Sequence, residues 1–429
     1  MTKLISKDQK FIWHPFTQGM LEKLPIHITK GHESYLYDVT GKKYLDLISS
    51  WWVNLHGHAN PYIAKAIYDQ ALTLEHVIFA GFTHQPAVTL CDKISSLLPF
   101  SLSKFFFSDN GSTAVEVAIK IAYQFWRNND AERNIFLSFE GGYHGDTFGA
   151  MSVGQDSKFH DNFRKLFFKV LTIPFPFTFN GDQEIEQKEQ QSLNKLALYL
   201  AQYGSNIAAF ILEPLIQGAS GMRICRPNFI EQVVSLLKKY NILTICDEIM
   251  TGFNRTGTLF AFEQTKCIPD IICLSKGLTG GFLPMALTVV DQKIYQAFLS
   301  KDHRKTFMHG HSYTANPLGC AAAIASLELL LRQDTQDRIE NIATIHSEGL
   351  QMIADIPIVL STRQIGTIAA FDLDNAKTNM ETLKVRLLAA GLLLRPLNNT
   401  IYLLPPYCTS SSDLKEAYEK IKSILITMM

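Results

Sequence analysis

Two charged residues follow apolar runs that are typical of buried strands. Asp247 ends the run LTICD, and Lys276 follows IICLS. Because ligands of open α/β sheets bind at the carboxyl ends of the strands, both side chains are expected at a binding edge. A lysine can hold an aldehyde as an imine and then move protons, and an acid can keep a pyridine nitrogen protonated. The segments DEIMTGFNRTG and LSKGLTGG therefore predict a pyridoxal phosphate site, the alternative being a solvated lysine and a structural aspartate.

A turn that leads into a helix is a candidate phosphate site. In DNGSTAVEVAIK (109–120) the first helical residues are Gly111, Ser112 and Thr113. The N-terminus of a helix offers unpaired N–H groups and a positive dipole, which suit a phosphate. Ordinary capping by Asn110 or Ser112 is the alternative. With Lys276 downstream, phosphate binding is the favoured interpretation.

Two further loops are rich in small residues. In FEGGYHGDTFGAMS (139–152), Tyr143 could lay its ring over a planar cofactor while the glycines let the backbone approach. In HGHSYTANPLG (309–319), Ser312 and Thr314 are candidate phosphate donors. A plain capping loop explains that second segment equally well.

Alternating strand and helix patterns position these residues. The continuous apolar runs indicate a mostly parallel sheet that is covered on both faces, within an α/β fold. The predicted strands are 104–108, 134–139, 206–214, 243–249, 270–276 and 285–290, and the helices include 112–126 and 228–241.

The pattern divides the chain into three segments. Residues 51–325 are expected to form one large α/β domain, followed by a long helix over 316–334. Residues 326–429 are expected to form a smaller α+β domain. Residues 1–50 are expected to join it, since 34–48 has the pattern of a hairpin with a turn near Thr40-Gly41. The polar stretch 181–195 is expected to be a surface loop and the exposed start of a helix.

Composition excludes several classes of protein. The chain has 429 residues, 47% of them hydrophobic, and 40 basic residues balance 40 acidic ones. This balance gives no electrostatic reason to expect nucleic acid or an anionic membrane as a partner. The seven cysteines form no CxxC pair, so reduced thiols are favoured over disulfides or zinc. The start of the chain lacks the pattern of a signal peptide, and no apolar run reaches the roughly 18 residues of a membrane span, so a cytoplasmic location is expected.

Four segments carry a resemblance to a known family: IWHPFTQ, SSWWVNLHGHANP, YHGDTFGAMSVG and LLLRPLNNTIYLLPPY. With the Asp247 and Lys276 motifs, they make nearly the whole chain resemble the class III aminotransferases of fold type I, the aspartate-aminotransferase fold. That resemblance implies a large domain with a mostly parallel, seven-stranded sheet, a smaller α+β domain, pyridoxal 5'-phosphate as cofactor and a site built at a homodimer interface. The four segments are most similar to the members of biotin biosynthesis that convert 8-amino-7-oxononanoate to 7,8-diaminononanoate, with S-adenosylmethionine as amino donor.

The resemblance also implies roles for individual residues. Lys276 would carry the cofactor and move protons, and Asp247 would pair with the pyridine nitrogen. The remaining roles are phosphate binding by Gly111 and Ser112, ring stacking by Tyr143, contact with the partner's cofactor phosphate by Gly310, His311 and Ser312, and substrate binding by Phe16, Trp51, Trp52, Tyr143, Gly310 and Arg395.

Physical arguments bear on three of these roles. A guanidinium matches a carboxylate with two parallel hydrogen bonds, so Arg395 suits the substrate carboxylate, although a surface ion pair is the alternative. Adjacent residues of a strand point to opposite faces. If they lay on a strand, Trp51 and Trp52 would not both line one pocket, and a plain core position is the alternative for each.

Two positions depart from the family pattern. Phe16 stands where the family often has tyrosine, and some relatives that use L-lysine as donor also carry phenylalanine there, so the donor stays open between S-adenosylmethionine and L-lysine. Ser312 stands where threonine is common, which preserves the hydroxyl. Other possibilities are a class III transaminase of ω-amino acids or diamines, an aminomutase of the same fold and, least favoured, the sensor domain of a transcription regulator. No basic recognition helix supports the last possibility.

Overall fold

The computed structural model describes residues 3–21, 24–154 and 158–429. The strands are β1 (Ile28–His32), β2 (Tyr35–Asp38), β3 (Lys43–Asp46), β4 (Leu102–Ser108), β5 (Ile135–Phe139), β6 (Val170–Ile173), β7 (Ile207–Leu212), β8 (Ile216–Gln217), β9 (Arg223–Ile224), β10 (Leu243–Asp247), β11 (Ile271–Leu274), β12 (Ala286–Asp291), β13 (Val359–Ile365), β14 (Ile368–Leu373), β15 (Leu392–Leu393) and β16 (Thr400–Leu403).

The helices are α1 (Lys3–Phe11), α2 (Ser49–Trp52, a single turn), α3 (Pro61–Thr73), α4 (Gln85–Ser95), α5 (Gly111–Asn128), α6 (Phe148–Val153), α7 (Ile185–Tyr203), α8 (Pro227–Lys238), α9 (Gln292–Gln296), α10 (Pro317–Leu330), α11 (Gln333–Ala354), α12 (Met380–Ala389) and α13 (Ser411–Ile426). Short 3-10 helices cover Lys158–Leu166, Ala261–Gln264, Lys276–Thr279 and His303–Lys305.

A seven-stranded sheet forms the centre of the molecule, in the order β4-β12-β11-β10-β7-β5-β6. All its neighbours run parallel except β12, which is antiparallel to both β11 and β4. Every residue of β5, β7, β10 and β11 is buried, as expected for strands covered on both faces. The predicted α/β fold with a mostly parallel, seven-stranded sheet is confirmed.

Helices cover the sheet with apolar faces. Helix α5 buries Ala114, Ala118 and Ala122, whose spacing of four residues places them on one side. Helix α8 buries a comparable stripe and begins at Pro227, a residue that suits the first helical position.

The predicted single helix over 316–334 is wrong, because the structure has two helices there. Helix α10 ends at Leu330, and α11 begins at Gln333 after Arg332 has taken an extended conformation. The Gln336 side chain donates to the Leu330 carbonyl at 2.6 Å, so a residue of the second helix satisfies a terminal carbonyl of the first.

Smaller sheets unite the two ends of the chain. The order β1-β2-β3-β15 places the first hairpin beside a late strand, with Leu45 opposite Leu392 in a parallel pair. The predicted hairpin is present, and the turn that joins β2 to β3 contains Thr40 and Gly41. A second sheet, β13-β14-β16, belongs to the C-terminal segment. The division into 1–50, 51–325 and 326–429 stays a prediction.

The polar stretch 181–195 is a short turn followed by the first half of α7, which starts at Ile185. Among the residues described, no helix combines the length and the apolar character that a bilayer crossing requires.

Candidate active site

The ends of β10 and β11 bring the two central residues of the site to one edge of the sheet. These strands are parallel neighbours, with Asp247 opposite Cys273. Asp247 is the last residue of β10 and is only 4% exposed. The backbone N–H of Ile249 donates to Asp247 Oδ1 at 3.1 Å, and His144 Nδ1 donates to Asp247 Oδ2 at 2.7 Å. These bonds hold the buried carboxylate in one orientation.

Lys276 follows β11 by two residues and has a left-handed backbone, with φ at 47°. Its Nζ lies 4.6 Å from the centre of the Trp52 ring, and it forms no salt bridge within the described residues. Burial lowers the pKa of the Lys276 amine from 10.5 to about 8, although the nearby Asp247 and Glu213 carboxylates oppose that shift. An amine with this pKa is partly neutral near physiological pH and can act as a nucleophile.

Lys276 lines a cavity of about 1210 Å³. Five residues that the sequence assigns to the site share its wall with Lys276: Phe16, Trp51, Trp52, Tyr143 and Arg395. Asp247, Gly111, Ser112, Gly310, His311 and Ser312 do not line this cavity. The structure therefore brings the lysine together with the aromatic residues and one arginine that the sequence associates with substrate.

The two tryptophans lie on a left-handed turn, Ser49–Trp52, which we call the Trp turn. All four residues have positive φ, between 45° and 74°. The expectation that Trp51 and Trp52 would diverge if they lay on a strand does not apply, because this turn lets both rings line one cavity. A left-handed conformation costs about 1–2 kcal/mol for each such residue. Tertiary contacts must therefore hold the Trp turn in place.

Arg395 faces the same cavity. Its guanidinium lies 4.3 Å from the centre of the Trp51 ring. The Phe16 ring packs edge-on against the same Trp51 ring, with the two ring centres 5.4 Å apart. Arg395 forms no salt bridge with the residues described here, so the surface ion pair that was its alternative is not formed. A stacked, unpaired guanidinium inside a cavity is available to a carboxylate.

Tyr143 lies in the glycine-rich loop after β5. Its backbone N–H donates to Glu213 at 3.1 Å, and its hydroxyl donates to Asp146 at 2.9 Å. The His160 ring stacks on Tyr143 at 5.8 Å between centroids. Burial raises the pKa of the Tyr143 hydroxyl well above its ordinary value. The phenol therefore stays neutral and is held in one orientation beside the cavity.

The start of α5 approaches this loop. Asn110 caps the helix by accepting from the Thr113 N–H at 3.1 Å, which leaves the N–H groups of Gly111 and Ser112 for another acceptor. Ser112 Oγ accepts from the Asp146 N–H at 3.1 Å. Gly145, with φ at 122°, passes so close that a Cβ there would lie 2.1 Å from Ser112 Oγ. The start of α5 is therefore capped by Asn110 and still offers the N–H groups of Gly111 and Ser112 as a candidate phosphate site.

No residue of the loop 309–319 lines the Lys276 cavity. His309 accepts from Lys120 at 2.9 Å, and the Ser312 carbonyl accepts from His76 at 2.6 Å. The Thr314 hydroxyl donates to the His311 carbonyl at 2.6 Å, which fits a capping role within the loop. His311 Nε2 is buried and has no hydrogen-bond partner among the described residues.

Sequence reasoning missed two buried residues of the site, His144 and Glu213. Glu213 accepts from the N–H groups of Tyr143 and Gly218, at 3.1 Å and 2.9 Å. Burial raises the pKa of its carboxyl to about 7, and the neighbouring Asp247 adds to that effect. Both residues had a signal, since His144 follows Tyr143 and Glu213 follows a fully apolar strand at the same sheet edge as Asp247.

These residues fit pyridoxal phosphate. Lys276, which has no salt bridge to any described residue, can hold the aldehyde, and the buried Asp247, bonded to His144, can pair with the pyridine nitrogen. The start of α5 offers N–H groups to a phosphate. When bound, the cofactor supplies an electron-withdrawing ring that stabilises negative charge on the carbon of the substrate.

Comparisons with known proteins agree with this geometry. The family model for class-III aminotransferases matches residues 18–425. The protein of Synechococcus elongatus named adenosylmethionine-8-amino-7-oxononanoate aminotransferase is 49% identical over 419 residues, which cover 96% of this chain and 98% of the relative. A relative of the same name from Helicobacter pylori is 40% identical and covers 98% of this chain and 97% of its own.

Solved structures give the same result. The adenosylmethionine-8-amino-7-oxononanoate aminotransferase of Methanocaldococcus jannaschii superposes with a TM-score of 0.91, at 33% identity, over 99% of this chain and 98% of its own. The omega transaminase of Pseudomonas jessenii, solved in complex with PMP, has a TM-score of 0.92 at 26% identity, over 100% and 98% of the two chains. The predicted aminotransferase activity and the pyridoxal 5'-phosphate cofactor are confirmed. With its fold, the lysine in its cavity and its relatives in agreement, this chain belongs to the class III aminotransferase family.

Proposed function

We propose that this enzyme transfers an amino group to the ketone of 8-amino-7-oxononanoate and so forms 7,8-diaminononanoate in biotin biosynthesis. The single observation that carries this proposal is Arg395, a guanidinium with no salt-bridge partner in the described residues, stacked on Trp51 within the cavity of Lys276. The proposed substrate carries a carboxylate at the far end of an alkyl chain. The names of the relatives from Synechococcus elongatus and Helicobacter pylori support the same substrate.

The cavity wall suits the rest of that substrate. Phe16, Trp51 and Trp52 give the wall an aromatic character, which favours an apolar alkyl chain over a polar chain. Arg223 also lines the cavity, but its guanidinium lies over the Phe175 and Phe177 rings and donates to the Phe175 carbonyl at 3.3 Å. Arg395 has the freer guanidinium, so we assign the carboxylate to Arg395.

The residues around the reacting atoms divide the work. Lys276 Nζ would hold the cofactor and would move a proton at the donor carbon, first as a general base and then as a general acid, because burial lowers the pKa of its amine to about 8. Asp247 holds a proton on the pyridine nitrogen, and His144 orients Asp247. Tyr143 would cover the ring, and Gly111 and Ser112 would bind the phosphate.

The second half of the site comes from another copy of the chain. Gly310, His311 and Ser312 lie outside the Lys276 cavity of their own chain, which supports a role at the cofactor phosphate of a partner in a homodimer. The unpartnered His311 Nε2 is consistent with a group that is completed by an acceptor from outside the chain. We place this homodimer in the cytoplasm.

S-adenosylmethionine is the proposed amino donor, and L-lysine is the second candidate. L-lysine stays a candidate because the Phe16 ring packs edge-on against Trp51 and offers no hydroxyl to the amino donor.

Half-reactions test the function and the donor separately. The purified enzyme, loaded with pyridoxal phosphate, receives S-adenosylmethionine or L-lysine alone while the imine absorbance band is followed. Loss of the band with only one amine identifies that amine as the donor, and addition of 8-amino-7-oxononanoate should restore the band. If neither amine acts but an ω-amino acid or a diamine does, the proposed substrate is wrong.

A further inference from the structure

A buried carboxylate stands at the start of the Trp turn. The Asp46 side chain is fully buried and accepts from the Ile48 N–H at 3.2 Å and the Ser50 hydroxyl at 2.8 Å. His58 Nε2 lies 3.0 Å from the same carboxylate. Ser50 belongs to the Trp turn and Ile48 immediately precedes it, so Asp46 is bonded directly to the strained backbone region and to the residue that leads into it.

The hydrogen bonds around His58 give it one consistent tautomer. The Gly57 N–H donates to Asn54 Oδ1 at 2.8 Å, so the Asn54 amide nitrogen faces His58 Nδ1 and donates to it at 3.2 Å. His58 Nδ1 is therefore an acceptor, and Nε2 carries the proton that is donated to Asp46. This chain of bonds joins Asp46 to Asn54, two residues beyond the Trp turn.

The two tryptophans of the Trp turn contact the two charged residues of the cavity, Lys276 and Arg395. The Trp52 ring lies against Lys276 and its Nε1 donates to the Tyr402 hydroxyl at 3.1 Å, while the Trp51 ring supports the Arg395 guanidinium. A change in the backbone of the Trp turn would therefore move the support of the arginine relative to the lysine.

We propose that Asp46, held by His58 and acting through Ser50, is a positioning residue that holds the Trp turn left-handed and thereby sets the affinity of the cavity for a long-chain keto acid. The identity of that keto acid rests on the proposed function, whereas the positioning of Trp51 by Asp46 does not. Asp46 touches neither the cavity nor the reacting atoms, so its effect must pass through the Trp turn.

A purely structural role for Asp46 is the competing explanation. Arg255 is buried nearby and donates to the Asn54 carbonyl at 2.9 Å, so Asp46 could simply balance a buried positive charge. That explanation predicts a loss of stability in any Asp46 variant, and it gives no reason for a change of backbone preference at Ser50 to repair the defect.

Asp46→Asn is the primary test, because the amide turns at least one hydrogen-bond acceptor into a donor. Ser50→Gly is the partner substitution, since glycine adopts a left-handed conformation without steric cost. Asp38→Asn is the matched control. Asp38 accepts several bonds on the same hairpin, including one from the Tyr44 hydroxyl at 2.9 Å, but it lies away from the cavity.

We expect Asp46→Asn to raise KM for the keto acid about 10-fold or more, as the loss of one hydrogen bond to a charged group would, with kcat and the imine band nearly unchanged. Asp46→Asn with Ser50→Gly should bring KM back toward the wild-type value, and Asp38→Asn should leave it unaltered. A double variant with a KM equal to or higher than that of Asp46→Asn alone, or a single variant in which only kcat and stability fall, would overturn the proposal.

A second readout needs no substrate. Acrylamide quenching of tryptophan fluorescence should increase in Asp46→Asn and return in the double variant, and Trp51→Phe identifies the share of the signal that Trp51 contributes. If the wild type fails to use 8-amino-7-oxononanoate, the proposed function fails while quenching still decides the role of Asp46. Should Asp46→Asn not fold, His58→Ala removes one donor instead, and the same repair by Ser50→Gly is expected; its absence would sink the idea.

Discussion

At the residue scale, burial controls the chemistry of Lys276. An exposed lysine is almost fully protonated at neutral pH, but burial brings the pKa of this amine to about 8. The Asp247 carboxylate, which shares the site, is bonded to His144 and to a backbone N–H. The two groups therefore differ in their hydrogen bonding: one carboxylate is tightly fixed and one amine is left free to react.

The pH dependence of cofactor capture follows from that shift. Only the neutral amine attacks the aldehyde, so the rate at which the apoenzyme captures pyridoxal phosphate should rise with pH and level off above about 8. Stopped-flow absorbance of the imine band measures this rate. A rate that keeps rising up to pH 10 would show an amine with an ordinary pKa.

Replacing the lysine tests its role directly. Lys276→Ala should abolish the imine band and lower turnover by about 10²- to 10⁴-fold or more, because both the anchor and the proton-transfer group are lost. Lys65→Ala is the control, since Lys65 is an exposed lysine paired with Asp69. An active Lys276→Ala enzyme would refute the assignment.

Arg395 allows a second prediction of the same kind. Arg395→Ala should raise KM for the keto acid by roughly 10- to 100-fold, the equivalent of a hydrogen bond to a charged group, and leave the imine band intact. Arg395→Lys should recover part of this loss, because it keeps the charge without the planar fork. Arg386→Ala, at an exposed arginine bonded to Thr427, should have no effect on KM. A normal KM in Arg395→Ala would place the carboxylate elsewhere.

Sequence reasoning works well for residues at strand ends and less well for their supports. Lys276 and Asp247 were predictable because each terminates an apolar run and the runs are neighbours in the sheet. The signals of His144 and Glu213 were ambiguous, because a histidine in a glycine-rich loop and a glutamate before a proline have many ordinary structural uses. Only the folded chain shows that His144 donates to Asp247 and that Glu213 receives the Tyr143 N–H.

At the element scale, the Trp turn shows where local patterns fail. Four consecutive non-glycine residues with positive φ run against their intrinsic preferences. Asp46, itself bonded to His58, accepts from the Ser50 hydroxyl, and the Ser49 hydroxyl donates to the Leu404 carbonyl at 2.7 Å. Asp46 is close in sequence, but the Leu404 carbonyl lies 355 positions from Ser49, so no short window of sequence contains all of these contacts.

The packing of the glycine-rich loop on α5 gives an element-scale prediction. Gly145→Ala should weaken cofactor affinity and lower Tm by several degrees, because the new Cβ would overlap Ser112 at the start of the helix. Gly181→Ala is the control, since Gly181 also has positive φ but has no atom within 4 Å of the added Cβ. Gly181→Ala should lower the free energy of unfolding by only about 1 kcal/mol, the cost of backbone strain. Cofactor titration and thermal unfolding measure both, and equal effects would rule out the proposed contact.

At the scale of the whole molecule, the alternation of strands and helices was sufficient to predict the class of fold. The strand order and the antiparallel direction of β12 were not predictable, because both depend on connections and packing that leave no local pattern. The break between α10 and α11 was missed for a similar reason, since the apolar stretch continues through Leu331.

The proposed homodimer gives a prediction at this scale. A mixed dimer of Lys276→Ala and Ser312→Asp chains should be active, because one of its two sites would combine an intact Lys276 with an intact Ser312 from the partner. Each variant alone should be nearly inactive, because Ser312→Asp places a negative charge against the phosphate. Activity is measured after the two chains are unfolded and refolded together. A mixture without activity would mean that Ser312 serves its own chain.

The pairing of Leu45 with Leu392 has a consequence for synthesis on the ribosome. The first hairpin emerges early but lacks its fourth strand until β15 has left the exit tunnel, and Trp51 waits as long for Arg395. Helices and strands between them can fold while translation continues. The substrate cavity is therefore closed only near the end of translation, so a truncated chain could fold its central sheet yet would have no complete place to bind the keto acid.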